Sequence, residues 1–228
     1  MVLTKRIICL ANSRKLSGRC VAGIELDEKD RALGWIRPVS DRPHEEVSEE
    51  ERRYQDGTDS RVLDIIDVPV IRAAPCTYQQ ENWLLDPGYY WSRVSYCPWD
   101  RLSTLLPAPA PLWDSGFSTY HGNNDRLPLG VAHKLSSSLR LIRVSSLTLK
   151  VFAPGAHFGE GKRRVQGSFN HASQRYGMWV TDPYVERRYL AMEDGRYEFG
   201  TCFLTVSLGE PHQDWVYKMI AAVVPARS

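Results

Sequence analysis

The first 24 residues of this 228-residue chain contain no carboxylate, and the first acid is Glu25. The five cysteines, Cys9, Cys20, Cys76, Cys97 and Cys202, are odd in number and lack a CxxC pair, so neither a disulfide framework nor a thiolate metal site is read. His44, His121, His133, His157, His171 and His212 form no HxH or HExxH, which removes the usual zinc motifs. Gly159-Glu160-Gly161-Lys162 lacks the glycine spacing and the hydroxyl residue of a phosphate-binding loop. No run approaches the roughly 20 apolar residues that cross a bilayer, and Met1–Arg6 lacks the apolar core of a secretory signal. These absences predict a cytoplasmic chain with reduced thiols packed as small core residues, no cofactor and no membrane partner.

What is present is a core-forming composition with 43% apolar residues, seven Trp and eleven Tyr. Disorder is excluded on that composition, and the rings serve cores, interfaces or base-stacking platforms. Net charge is only +2, so the chain is no bulk polycation, but the charges segregate. Residues 134–175 hold eight cations against Glu160 alone, whereas residues 41–60 hold eight acids against three Arg. That pattern predicts a basic face and an acidic flank.

Strand signals dominate. Ile7–Leu10, Val21–Leu26 and Leu33–Val39 are spaced as a three-stranded meander with turns at 12–19 and 27–31. Glu45–Tyr54 reads as an exposed helix or loop, and Val62–Ile71 as a strand whose Pro69 demands an edge or bulge. Cys97–Leu106 is a short helix candidate, and the proline-dense 107–111 is the best linker signal. Strands resume at Ser138–Val144, Leu147–Val151, Arg164–Phe169, Tyr176–Thr181, Thr201–Leu208 and Trp215–Val224. Asp182 caps a helix that opens on Pro183. The expected class is mainly β: two tandem small OB-like β-barrels with short helical insertions, 1–112 and 134–228, joined by a linker at 113–133. Two small sandwiches are the alternative from periodicity alone.

Cys9-Leu10-Ala11-Asn12-Ser13-Arg14-Lys15 with Gly18-Arg19-Cys20, then Gly34-Trp35-Ile36-Arg37-Pro38-Val39-Ser40, resemble the bacterial dual OB-containing domain family. So do Leu63-Asp64-Ile65, Tyr78-Gln79 with Glu81-Asn82, Asn124-Asp125-Arg126, Val180-Thr181-Asp182-Pro183 and Val206-Ser207-Leu208-Gly209-Glu210-Pro211. The resemblance spans nearly the whole chain. It implies two OB barrels, with nucleic-acid binding inferred from the fold and an association with prokaryotic defence.

Four groups of residues are candidates for binding. Asn12, Ser13, Arg14, Lys15 and Arg19 combine an amide, a hydroxyl and cations in a connection that faces ligands in OB barrels. Trp35 and Arg37 are two apart and share a strand face beside Ser40, pairing an aromatic with a guanidinium. Gln79 and Asn82 offer amides that read base edges or satisfy buried backbone groups. Lys162, Arg163 and Arg164 form a basic hairpin tip, with Tyr176 or Trp179 supplying stacking on the next strand; being three apart, only one of these two faces the ligand. Arg126 joins the set through the family pattern.

Catalytic signals are thin. Asp64 and Asp67 are three apart in a strand and cannot share a metal-facing side, which weakens a nuclease reading. The expected function is a non-catalytic module that binds single-stranded nucleic acid, or a nucleotide-bearing end, along a basic groove over both barrels. One alternative is a protein-interaction adaptor with an operon-encoded partner, docking through 41–60 and 83–99. The other is a nucleotide-processing enzyme using the Asn12–Cys20 segment.

Overall fold

A computed structural model describes residues 2–155 and 161–226. His157, Gly159 and Glu160, the last two in the expected basic tip, lie outside the described residues. The chain divides into two compact units, 1–105 with 136–138, and 106–135 with 139–228. Residues 113–133, expected as a linker, thus group with the second unit.

In the first unit, β1 (Leu3–Lys15), β2 (Gly18–Leu26) and β3 (Ala32–Val39) form an antiparallel meander. β4 (Asp64–Ala73) returns beside β1, and β5 (Asn82–Leu85) closes the ring by pairing antiparallel to β4 and parallel to β3. β6 (Ser92–Tyr96) extends β4. Pro69 sits where β4 leaves β6, paired through Asp64–Asp67, and has not yet met β5, paired from Val70 onward. A residue without an N–H is tolerated in that gap, and its carbonyl accepts from Asp86 N at 3.0 Å.

The second unit repeats the wiring. β8 (Leu139–Phe152), β9 (Arg164–His171) and β10 (Gln174–Val180) form the meander. β11 (Gly195–His212) pairs with β8, and β12 (Trp215–Pro225) pairs antiparallel to β11 and parallel to β10. Both rings therefore read 1-2-3-5-4-1 with one parallel contact, the connectivity of a five-stranded Greek-key OB barrel. Preceding the second ring, β7 (Arg126–Pro128) pairs with β12 and runs into the one-turn α2 (Leu129–Ala132).

The insertion between third and fourth strands differs. In the first barrel it holds a 3-10 turn, Pro43–Glu45, and the one-turn α1 (Glu49–Arg52), whose Ser48 and Glu51 form a capping box. This segment is not the exposed excursion expected: Glu46, Val47, Arg52 and Tyr54 are buried, because Val47 joins the core and exchanges two 2.9 Å backbone bonds with Arg19. In the second barrel it is α3 (Pro183–Leu190). Asp182 Oδ1 caps it, accepting from Tyr184 N at 2.9 Å and Val185 N at 3.3 Å, while Oδ2 accepts from Val223 N at 3.0 Å. Burial raises the Asp182 pKa against those three backbone donors.

Two further corrections concern strand ends. The 12–19 turn shrinks to Leu16 and Ser17, since ladder pairs run from Ile7↔Glu25 out to Lys15↔Gly18. The gap read between Val144 and Leu147 is a bulge inside one long β8, opposite Gly200, whose φ of +84° an L side chain rarely adopts. Each ring encloses its own core: Ile7, Cys9, Val21, Ile36, Ile66 and Trp91 in the first, and Leu147, Leu149, Val165, Met178, Leu204 and Ile220 in the second. Cys9, Cys97 and Cys202 are buried as expected of small core residues, but Cys76 is exposed. Among the described residues no helix is long and apolar enough to cross a membrane.

Candidate nucleic-acid interface

In an OB barrel the outward face of the first three strands is the usual platform for ligands. Register assigns this face in each barrel. In the first, Ile65, Ile8, Ile24 and Trp35 make one row across β4, β1, β2 and β3. Ile8, Ile24 and Ile65 are buried. The row is apolar and offers nothing to an anion.

The candidates on this barrel are mostly committed to the fold. Asn12 is buried and donates to Ser60 O at 2.7 Å, and Ser13 donates to Cys20 O at 3.4 Å. Both lie inside the ladder rather than in a ligand-facing loop. Arg14 is exposed and stands opposite the half-buried Arg19, with Lys15 at the hairpin end. Trp35 and Arg37 do share a face, but Arg37 is only 3% exposed. Its Nη2 meets Ser138 Oγ at 2.8 Å and Glu81 Oε1 at 3.5 Å, and Nη1 meets Asn82 Oδ1 at 3.4 Å. Asn82 Nδ2 in turn reaches Gln79 Oε1 at 3.3 Å and Glu45 Oε2 at 3.4 Å. Ser40 donates to Glu51 Oε1 at 2.6 Å. Asp64 accepts from Tyr54 Oη at 2.8 Å while Asp67 is held by Arg6 at 2.7 Å, so the two acids have separate partners. No group of three or more His, Cys, Asp or Glu is placed to hold a metal among the described residues.

The equivalent face of the second barrel has the opposite chemistry. Its rows are Phe152 beside Arg164; then Arg196, Lys150, Gln166 and Trp179; then Glu198, Thr148, Ser168 and Gly177; then Asn170 beside Arg175. This face holds a cavity of about 390 Å³ lined by Lys150, Arg175 and Arg196, with Thr148, Gln166 and Ser168 between them. The segment His121–Asn123 forms its rim. Asn123 exchanges backbone bonds of 3.0 and 2.8 Å with Gly177, and Gln166 Nε2 donates to His121 O at 2.7 Å. Among the described residues no Asp or Glu lines the cavity. Glu198, at the margin, accepts from Thr148 Oγ1 at 3.0 Å.

Beyond Lys150 and Gln166 the face becomes aromatic. Phe152 and Trp179 stack at 5.7 Å and 27°, and His121 packs edge-on to Phe152 at 5.5 Å. Lys150 Nζ lies 4.0 Å from the Phe152 centroid, and the Arg164 guanidinium 3.9 Å from that of Trp179. Tyr120, next to His121, is 96% exposed.

Of the candidates in this half, Arg164 stands at the cavity's aromatic end. Lys162 is exposed. Arg163 is occupied by Asp194 at 2.7 Å and by the carbonyls of Leu190 and Met192, tying it to the end of α3. Arg126 lies over the Trp215 ring at 4.0 Å. Tyr176 contributes to the cavity lining, but its residue is buried: the ring stacks on Phe169 at 5.4 Å and Oη accepts from Leu112 N at 3.0 Å. Trp179 is therefore the aromatic of that pair on the outward face. Lys150, Arg175, Arg196, His121 and Tyr120 were not singled out from sequence. Lys150 and Arg175 do fall in the cation-rich 134–175 stretch read as a basic face, and the outward phase of alternation in Thr148-Leu149-Lys150-Val151 was a second signal.

Lys218, whose Nζ lies 5.6 Å from the centroid of the Tyr176 ring, is 1% exposed, and that Nζ donates to Asp114 O at 2.5 Å. Burial pushes its pKa down to about 8, against the pull of Asp114 and Asp125.

No curated protein and no solved structure matches the chain. The Dual OB-containing domain family matches residues 5–223, nearly the whole length. With two rings of identical OB connectivity described above, the chain belongs to the Dual OB-containing domain family.

Proposed function

We propose that this protein is a non-catalytic module that binds single-stranded nucleic acid on the outward face of β8, β9 and β10. The observation that carries this reading is the convergence of Lys150, Arg175 and Arg196 on one cavity with no carboxylate in its lining among the described residues, next to an aromatic cluster. Cations neutralise phosphates and rings stack bases without sequence preference, which is how OB barrels hold single strands. OB folds commonly bind nucleic acids, and this face has the chemistry for it. Fluorescence anisotropy with single-stranded oligonucleotides tests the proposal. Binding saturates, and its logarithm falls linearly with log salt, with a slope near −0.7 for each phosphate neutralised. Salt-insensitive or non-saturating signals would sink it.

A second reading is favoured by β6. All five of its residues are exposed, and Tyr89, Tyr90, Val94 and Tyr96 present apolar surface there. An exposed strand at a sheet edge accepts a partner strand. A protein partner encoded beside this chain would dock at β6. Binding of a purified neighbour, abolished by Val94→Pro and untouched by Arg196→Ala, checks it.

A further inference from the structure

The basin is larger in charge than one internal phosphate requires. Among the described residues, Lys150, Arg175 and Arg196 line it together, no carboxylate does, and neither arginine side chain has an ion-pair partner. A phosphodiester carries a single negative charge. A terminal phosphomonoester carries close to two at neutral pH and presents three acceptor oxygens.

Its shape is also one-sided. Toward Phe152 the face carries the stacked Phe152 and Trp179 rings, with Arg164 3.9 Å from the Trp179 centroid. On the opposite side a second cavity of about 230 Å³ shares Thr148, Ser168 and Arg175 with the basin. A third, of about 400 Å³, shares Asn170 with the second and adds Arg143 and Thr201. The three cavities thus run in series from the basin past Asn170, with the basin at one end beside the ring cluster. A strand lying in them has its end, rather than its middle, against Lys150 and Arg196. The Gln166 amide is already engaged by the His121 carbonyl at 2.7 Å, so it holds the rim while the cations meet the ligand.

We propose that the basin captures a terminal phosphomonoester of a nucleotide, with the adjoining groove taking the rest of the strand. This rests on the nucleic-acid reading above and narrows it to strand ends. The same phosphate chemistry is offered by a free nucleoside monophosphate, and the test separates the two sources. Charge-assisted, bidentate contacts from arginine to a dianion are the strong class of hydrogen bond.

The full chain is titrated with one strand of about 12 nucleotides in four forms: 5′-phosphate, 5′-hydroxyl, 3′-phosphate and 3′-hydroxyl, labelled at the other end. One phosphorylated end binds about tenfold tighter than its hydroxyl counterpart, as expected for an added charge-assisted pair. Arg175→Ala and Arg196→Ala each erase that difference, whereas Lys29→Ala, at an exposed turn of the first barrel, preserves it. Circular dichroism melts confirm that the variants fold. Equal affinities within both pairs overturn the inference and leave strand binding standing. A preference that survives both arginine variants overturns it as well. If no oligonucleotide binds, the nucleic-acid reading falls. In that case saturable binding of adenosine monophosphate that is lost in Arg196→Ala assigns the basin to free nucleotides, and its absence overturns the inference too.

Discussion

Lys150 and Arg196 stand directly opposite each other on the β8–β11 ladder, two like charges on the same outward face. Like charges in that position destabilise a sheet, by roughly 0.2–1 kcal/mol. The free protein carries that strain, and an anion between the two relieves it. Arg196→Gln should therefore raise the urea midpoint of the free protein by the equivalent of about 0.5 kcal/mol while weakening oligonucleotide binding. A variant that loses both stability and binding would contradict the assignment.

Tyr120 is 96% exposed, and its ring meets that of His121 edge-on at 4.8 Å. Packing does not account for it. Tyr120→Ala should leave the melting temperature unchanged and weaken single-strand binding by about 1–2 kcal/mol, the worth of one stacked base. Trp35→Ala, on the apolar face of the first barrel, should leave binding unchanged.

Lys218 supplies a pH test. Its folded pKa is about 8, against 10.5 in a free lysine. Below about pH 8 both states hold the proton. Between about 8 and 10.5 the unfolded chain binds more protons, so this group makes stability rise with pH, with a slope of at most about 1.4 kcal/mol per pH unit. Cys9 and Tyr54, whose pKa values burial raises, act in the opposite sense at alkaline pH. The difference between wild type and Lys218→Met isolates the lysine: the variant lacks the rise.

The Arg37–Glu81 pair is buried, with 3% of each side chain exposed. Glu81→Ala removes a buried counter-charge of the guanidinium and should cost about 3–5 kcal/mol in chemical denaturation. Arg37→Met with Glu81→Leu should recover part of it, because an apolar pair has no charge left to desolvate.

Gly23 faces the β1 bulge so closely that a Cβ would collide with the backbone carbonyl of Ile8. Backbone cannot swing away as a side chain does. Gly23→Ala should destabilise the first barrel by about 2 kcal/mol or more. An equal midpoint for variant and wild type would refute the register drawn for β1 and β2.

Much of the fold was legible because strand periodicity is local. The meander, the Asp182-Pro183 helix start and the later strands follow from residue order alone. The Asn12–Arg19 segment was misread because polar residues signal turns, yet ladder bonds and Val47 hold these in strand. The Tyr176 and Trp179 pair shows the limit more sharply. Spacing established that one faces outward, but two aromatics give no local sign of which. The basic basin was less legible still. Lys150, Arg175 and Arg196 come from three strands, and only register brings them together. Arg37 and Glu81, 44 positions apart, met for the same reason.

The rim of the basin is built before anything binds. Asp125 accepts from Thr119 N at 2.7 Å and from its hydroxyl at 2.6 Å, and Asn124 links Gly116 N at 2.6 Å to Arg175 O at 2.9 Å. A wall already held by side-chain bonds loses little conformational freedom when a ligand arrives. Association should then be a single-exponential, encounter-limited process whose rate climbs as salt is lowered, and affinity differences among ligands should reside in how long each stays.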